Sequence, residues 1–171
     1  MQQQRQEHEQ VGYLSAWVRH KTGLDSCDQP VYDEWKTLAY KKRNLMTNVG
    51  KDYLHNQYWI NNSAGGVGIN FIALTESTLT PAAGDTTLGG EITTNGLQRV
   101  IASVRQHTTG SNTSTLSNTF TAAGSFTDVK ASGLFNASSS GTMGHIANFT
   151  VGSGTLSSGD QVAVSWAMTA A

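Results

Sequence analysis

One cysteine and two prolines are all that 171 residues contain of either type. A lone Cys27 cannot close an intrachain disulfide, so the fold must stand on packing and hydrogen bonds. A free thiol also fits assembly in a reducing cytoplasm. Pro30 and Pro81 are too sparse for an extended Pro-rich spacer. Charge is scarce as well: Asp, Glu, Lys and Arg make up 13% of the chain, and the formal net charge is −1. That balance supplies no field to capture nucleic acid or an anionic membrane, so neither is expected as a partner. No apolar run approaches the ~20 residues that a membrane-crossing helix needs. Residues 1–10 are polar, lack the apolar core of a signal peptide and are expected to be flexible.

What is present is unevenly distributed. Residues 1–60 hold 8 of the 11 Lys/Arg and 7 of the 12 Asp/Glu, whereas residues 61–171 hold 15 of the 18 Gly together with 33 Ser/Thr. The chain therefore divides into an N-terminal arm, residues 1–60, and a Gly/Ser/Thr-rich domain, residues 61–171.

The second part reads as all-β. From Gln161 to Thr169 the large residues Val162, Val164, Trp166 and Met168 alternate with Ala163, Ser165, Ala167 and Thr169, the period of a half-buried strand with its large side chains inward. Further strands are expected at Ile69 to Leu74, Leu97 to Gln106, Thr113 to Thr121, Phe126 to Lys130, Gly133 to Phe135 and His145 to Val151. Turn residues such as Asn95-Gly96 and Thr109-Gly110-Ser111 separate them. Helices compete poorly against so much Ser, Thr and Gly. Short strands at this spacing predict an antiparallel β-sandwich or jelly-roll-like domain.

In the arm, Tyr13 to His20 suits a strand with Leu14, Ala16 and Val18 on one face and Tyr13, Ser15, Trp17 and Arg19 on the other. Lys21 to Pro30 reads as a connector. Val31 to Leu45 suits either a helix or a strand that completes a hairpin, and the strand is preferred. Thr47 to Asn56 suits a short helix capped by Thr47.

Chemistry is hard to find. Histidines stand at 8, 20, 55, 107 and 145, with no pair at the i, i+2 or i, i+4 spacing of a zinc site. The carboxylates of the β-domain are Glu76, Asp85, Glu91, Asp128 and Asp160. Any two could meet across a cleft, but Asp85 and Asp160 each follow Gly, where turn capping is the preferred role. Gly65-Gly66-Val67-Gly68 lacks the Lys-Ser/Thr of a phosphate loop, and no G-x-S-x-G elbow occurs. No catalytic residue, metal site or cofactor is expected. The run Lys41-Lys42-Arg43 reads as a solvated turn ahead of a contact with an acidic partner or packaged nucleic acid.

The aromatics say more. All five Tyr and three of the four Trp lie in residues 1–60. A short arm cannot bury so many rings alone, and Tyr and Trp are common interface anchors. Tyr13, Trp17, Tyr32, Trp35, Tyr40, Tyr58 and Trp59 are therefore the candidate interface residues. Their expected role is to dock the subunit on its neighbours.

An ordered string of motifs carries a resemblance. Asn44-Leu45-Met46-Thr47-Asn48-Val49-Gly50-Lys51-Asp52-Tyr53-Leu54-His55-Asn56 is followed by Ile72-Ala73-Leu74-Thr75. Next come Thr80-Pro81-Ala82-Ala83-Gly84-Asp85-Thr86-Thr87-Leu88-Gly89-Gly90-Glu91 and Gly96-Leu97-Gln98-Arg99. Then come Thr119-Phe120-Thr121-Ala122-Ala123-Gly124, Ser132-Gly133-Leu134-Phe135-Asn136-Ala137-Ser138-Ser139-Ser140-Gly141-Thr142-Met143 and Ser158-Gly159-Asp160-Gln161-Val162-Ala163-Val164-Ser165-Trp166-Ala167-Met168-Thr169. Together they resemble a β-module of tailed-bacteriophage virion proteins, over roughly residues 44–171. The resemblance implies a non-enzymatic structural component of a virion, assembled in the host cytoplasm. A capsid-attached decoration or cement protein is preferred. A tail or neck fibre, or a receptor- or glycan-binding module, is the alternative. The implied partners are further copies of the chain, with a trimer expected, and the major capsid protein or other virion proteins.

Overall fold

The computed structural model describes residues 11–55 and 68–169. Its elements, in chain order, are β1 (Val11–Arg19), β2 (Lys21–Leu24), β3 (Pro30–Tyr32), β4 (Lys36–Arg43), β5 (Leu45–Met46) and α1 (Asn48–His55). They are followed by β6 (Phe71–Thr75), β7 (Val100–Ile101), β8 (Val104–His107), β9 (Thr113–Thr121), β10 (Ala131–Phe135), β11 (Met143–Asn148) and β12 (Gln161–Thr169). Sheet one has the order β4-β1-β12-β9-β8, sheet two the order β5-β11-β10-β6-β7, and β2 pairs with β3 as a separate hairpin. All pairings are antiparallel. The fold is an all-β sandwich, as the alternation in the sequence predicts.

The two sheets share one core. Leu14, Val18, Phe120, Val162, Val164 and Trp166 from sheet one meet Ile72, Leu74, Leu134 and Ala147 from sheet two. Trp166 is fully buried, and its indole N–H donates to Ser132 Oγ of the opposite sheet at 3.3 Å. Ser132 Oγ in turn donates to the Ala73 carbonyl at 2.9 Å. The indole's polar handle is thus satisfied inside the apolar gap.

The sheets differ on their outer faces. β12 alternates buried and half-buried positions, whereas β10 is buried at every residue and β6 at four of its five. Unbroken burial means cover on both sides. A second cluster supplies that cover: Ala73, Phe135, Met143 and Ile146 of sheet two pack with Leu79 and Leu88 from the loop after β6. Helix α1 closes against β11 where Gly50 meets Gly144; a Cβ on Gly50 would lie 2.5 Å from the Gly144 carbonyl oxygen. Thr47 caps α1 as expected, its Oγ1 accepting the Gly50 N–H at 3.1 Å. The outer face of sheet one has no such cover from the loops of that second cluster.

Four expectations need correction. Of the docking arm expected over residues 1–60, β1 and β4 are strands of the sandwich itself: β1 pairs along nine residues with β12 and lies between it and β4. The Lys21 to Pro30 connector is largely a hairpin, its loop closed by Asp25 Oδ1 accepting the Cys27 and Gln29 N–H groups. The expected strand from Leu97 to Gln106 is cut in two. β7 belongs to sheet two and β8 to sheet one, and the chain crosses between them at the buried Ala102, whose N–H donates to the Asn70 carbonyl. Phe126 to Lys130 makes only one bridge, Phe126 with Leu156, though Val129 is fully buried.

Gly96 turns the chain with φ +83°, and a Cβ there would lie 2.0 Å from the Thr121 carbonyl oxygen. Gly110 has a similar φ of +81° with open space around it. Gly110→Ala is expected to cost about 1 kcal/mol through backbone strain alone, and Gly96→Ala at least about twice that. Urea unfolding of the two variants measures the difference.

Candidate interaction face

A strand that buries alternate residues must present the others. β1 buries Leu14, Ala16 and Val18 and turns Tyr13, Ser15, Trp17 and Arg19 outward on sheet one. Side chains two residues apart on such a face stand ~7 Å from one another. Their neighbours across the β12 pairing are small: Ala167 beside Tyr13, Ser165 beside Ser15 and Ala163 beside Trp17. The rings therefore rise above a low floor.

Arg19 organises one end of this row. Its Nε and Nη2 both donate to Gln161 Oε1, at 3.0 and 2.7 Å. Its guanidinium carbon lies 4.0 Å from the centre of the Tyr32 ring and 4.6 Å from that of Trp35. Cation–π contact of this kind draws the end of the hairpin and the start of β4 onto β1. Trp35 remains 41% exposed and Tyr13 37%.

β4 completes the face. Its pairing with β1 shifts register twice, between Leu14 and Ala16 and between Ala16 and Trp17. The extra residues explain why consecutive Leu38 and Ala39 are both buried. They also bring Tyr40 and Lys41 opposite Ser15, whose Oγ accepts the Lys41 N–H at 3.0 Å. Lys41 has φ 47°, and Tyr40 is 67% exposed. The run Lys41-Lys42-Arg43 is thus part of an edge strand and not a turn.

Of the seven candidate interface residues, Tyr13, Trp17, Tyr32, Trp35 and Tyr40 are on or beside this face. Tyr58 and Trp59 lie outside the described residues. Composition pointed to the rings. It did not single out Arg19, although Arg19 stands two residues from Trp17, on the same face of a strand.

Beside Arg19 lies a small polar cluster. His20 Nδ1 is 2.9 Å from Asp160 Oδ2, and Asp160 also accepts the Lys21 and Ser157 N–H groups at 2.7 and 2.8 Å. Burial pushes the Asp160 carboxyl up, but these hydrogen bonds outweigh it and hold the group below its ordinary value. The His20 N–H, donated to Asp33 Oδ1 at 2.7 Å, likewise holds Asp33 low, with Lys36 assisting. Asp160 and Asp85 both cap turns, as their position after Gly suggests; Asp85 Oδ2 accepts the Ala82 N–H at 2.9 Å. This cluster ties the start of β2 to the turn before β12. Among the described residues no group of three His, Cys, Asp or Glu is placed to hold a metal ion.

The motif string converges elsewhere, on Arg99. Its guanidinium forms a fork with Glu91, donating from Nε at 2.7 Å and from Nη2 to the second oxygen. Nη1 donates to the Ala137 and Ser140 carbonyls at 3.1 and 2.7 Å, and the guanidinium carbon lies 3.4 Å from the Phe135 ring centre. The Arg99 side chain is only 7% exposed. Three separate motifs are thereby stapled into one corner of the fold. Arg99→Ala should destabilise the protein by about 3 kcal/mol, and Arg99→Lys should not restore it, because an ammonium cannot reproduce the fork. Urea unfolding of both variants and of Glu91→Gln checks this.

Among the described residues His145 is the one buried imidazole, 6% exposed and 6.4 Å from the Trp166 ring. Asn44 Oδ1 accepts the Gly12 N–H at 3.0 Å, so its amide nitrogen is left to donate to His145 Nδ1 at 3.1 Å. Burial lowers the His145 pKa from 6.5 to about 4. The folded value is the lower one, so the unfolded chain binds the extra proton. Stability from this group is complete above pH ~6.5 and is lost as pH falls toward ~4. The expected loss is about 3 kcal/mol. His145→Gln should flatten that part of the stability–pH curve relative to the parent protein, as read by urea midpoints from pH 7 to 4.

No protein-family model, no curated protein and no solved structure matches this chain.

Proposed function

We propose that this chain is a non-enzymatic structural component of a phage virion. It is attached to the capsid as a decoration or cement protein and docks through the face formed by β1, the end of the hairpin and β4. The observation that carries this reading is the row of rings on the outside of sheet one. Tyr13, Trp35 and Tyr40 stay exposed although the same chain buries Trp166 completely. Rigid rings that a fold leaves at its surface beside small neighbours suit a partner that fills the space between them. The motif string from Asn44 to Thr169 supports the virion setting, and its residues act as staples of the sandwich. A homo-oligomer on the particle follows from the symmetry of such shells.

A glycan-binding module on a tail or neck fibre is the second reading. It is favoured by the hydroxyl-rich floor beside the rings, where Thr115, Ser117 and Thr119 of β9 pair with Ala167, Ser165 and Ala163 of β12.

The test is co-sedimentation of the purified protein with capsids that lack it. Saturable binding is expected. A Trp35→Ala, Tyr40→Ala double variant should bind at least about tenfold more weakly, while its unfolding midpoint falls only by the loss of the Arg19–Trp35 contact. No binding to capsids, with binding to a glycan array abolished by the same double variant, would overturn the capsid reading in favour of the second.

A further inference from the structure

The chain contains a single Asn-Gly pair, Asn95-Gly96. Glycine puts no Cβ beside its own nitrogen and lets the backbone turn freely, so this pair is the one most open to attack of that nitrogen on the preceding side-chain amide. In that reaction the Gly96 nitrogen bonds to Asn95 Cγ. The side-chain amide leaves as ammonia and takes the Gly96 N–H proton with it. Water then opens the cyclic imide at either carbonyl. One opening gives aspartate; the other gives isoaspartate, in which the main chain runs through Cβ and is longer by one carbon. Asn95 is exposed, so water has access to it.

The folded turn opposes this chemistry. Asn95 and Gly96 have φ 56° and 83°, and the Leu97 N–H donates to the Thr94 carbonyl at 3.4 Å. Two left-handed residues at the centre of such a turn make it type I′. A left-handed residue, with ψ of about +47°, sets the next nitrogen almost opposite its own Cβ across the Cα–C bond. The Gly96 nitrogen therefore faces away from Asn95 Cγ. The peptide plane between the two residues must swing by about half a turn before the atoms can meet.

Both polar groups of that plane are tethered. The Asn95 carbonyl accepts the Ala123 N–H at 2.8 Å, and the Gly96 N–H donates to Gln98 Oε1 at 2.9 Å. Gly96 lies against the Thr121 carbonyl oxygen, and the Asn95 side chain lies over Gly124, where an added Cβ would be 3.2 Å from Asn95 Cγ. Rotation of the plane breaks both hydrogen bonds. The bond from Ala123 joins the turn to the end of β9. Gln98 differs: it is exposed, and its side chain makes no other hydrogen bond among the described residues.

We propose that Asn95-Gly96 is a latent deamidation site, and that Gln98 keeps it unreactive by holding the peptide plane between Asn95 and Gly96. Once the plane is released, the change is one-way. Isoaspartate cannot rebuild the turn, because its extra carbon has no room where Gly96 meets Thr121 and Leu97 beyond it is fully buried. This inference is independent of what the protein docks on.

The intact folded protein is incubated at mildly alkaline pH, below its unfolding midpoint, and the mass gain of amide-to-acid conversion is read on the peptide that contains Asn95. The parent should convert slowly when folded and faster in urea. Folded Gln98→Ala should convert about fivefold faster than the folded parent, the weight of one exposed hydrogen bond, and at the parent's rate in urea. Gln98→Glu keeps an acceptor for the Gly96 N–H and should stay close to the parent. Gly110→Ala weakens a different turn and should also stay close to the parent, which separates release of this plane from a general loss of stability. Gln98→Ala converting no faster than the parent overturns the role of Gln98. A folded parent that converts as fast as the chain in urea overturns the protection itself. Equal acceleration in Gly110→Ala and Gln98→Ala overturns the local mechanism in favour of global opening.

Discussion

The sandwich depends on satisfying one indole inside its core. Trp166 brings a large apolar surface to the gap between the sheets, and with it an N–H that cannot be left unpaired there. Ser132 accepts that proton and passes its own to the Ala73 carbonyl. This short relay crosses from β12 to β10 and on to β6, so it fixes one sheet laterally against the other. The strands around it inherit their register. β1 and β9 pair with β12 along nine residues each, which places Leu14 and Leu116 on either side of Trp166.

Once Trp166 sets which side of sheet one faces inward, the opposite side is committed as well. Tyr13, Trp17 and Arg19 cannot join the core without moving Leu14, Ala16 and Val18 out, because a one-residue slip exchanges every side chain between faces. Sheet two takes the other course. Its outer face is packed by Leu79 and Leu88, and α1 meets β11 at Gly144. The two sheets therefore divide the work: the central strands β6, β10 and β11 of one are buried and serve as a base, while the other keeps a face on which rings stand above Ala and Ser.

Much of this is legible in the sequence because period-two alternation is a local signal. β9 and β12 run between the residues at which the pattern begins and ends, and the inward set of β1 is read correctly. The Thr47 cap is legible because capping needs only a hydroxyl one residue before the helix. Alternation carries no information about which sheet a strand joins. It could not foresee the crossing at Ala102, nor that β1 and β4 would enter the sandwich. The segment after Phe126 has strand-like composition, but its backbone groups go to scattered partners instead of one neighbouring strand: the Val129 N–H to Ser153 Oγ and the Lys130 N–H to the Thr75 carbonyl at the end of β6. The rings of the face were visible as an excess of Tyr and Trp. Arg19 was not, because its role arises from Gln161, Tyr32 and Trp35, which only the folded chain brings beside it.

The union of arm and sandwich changes what the aromatic face can do. A tethered arm would lose conformational entropy on docking, and that loss would offset part of the contact energy. Here Tyr13 and Trp17 are carried on a strand hydrogen-bonded on both sides, and Trp35 is held by the same guanidinium that Gln161 anchors. The rings are ordered before any partner arrives. Rigid presentation favours a partner of matching shape, and it makes the outer residues of β1 replaceable without disturbing the inner ones. Recognition and folding thus occupy opposite faces of one strand. The sequence can vary one face while the Trp166 relay continues to require the other.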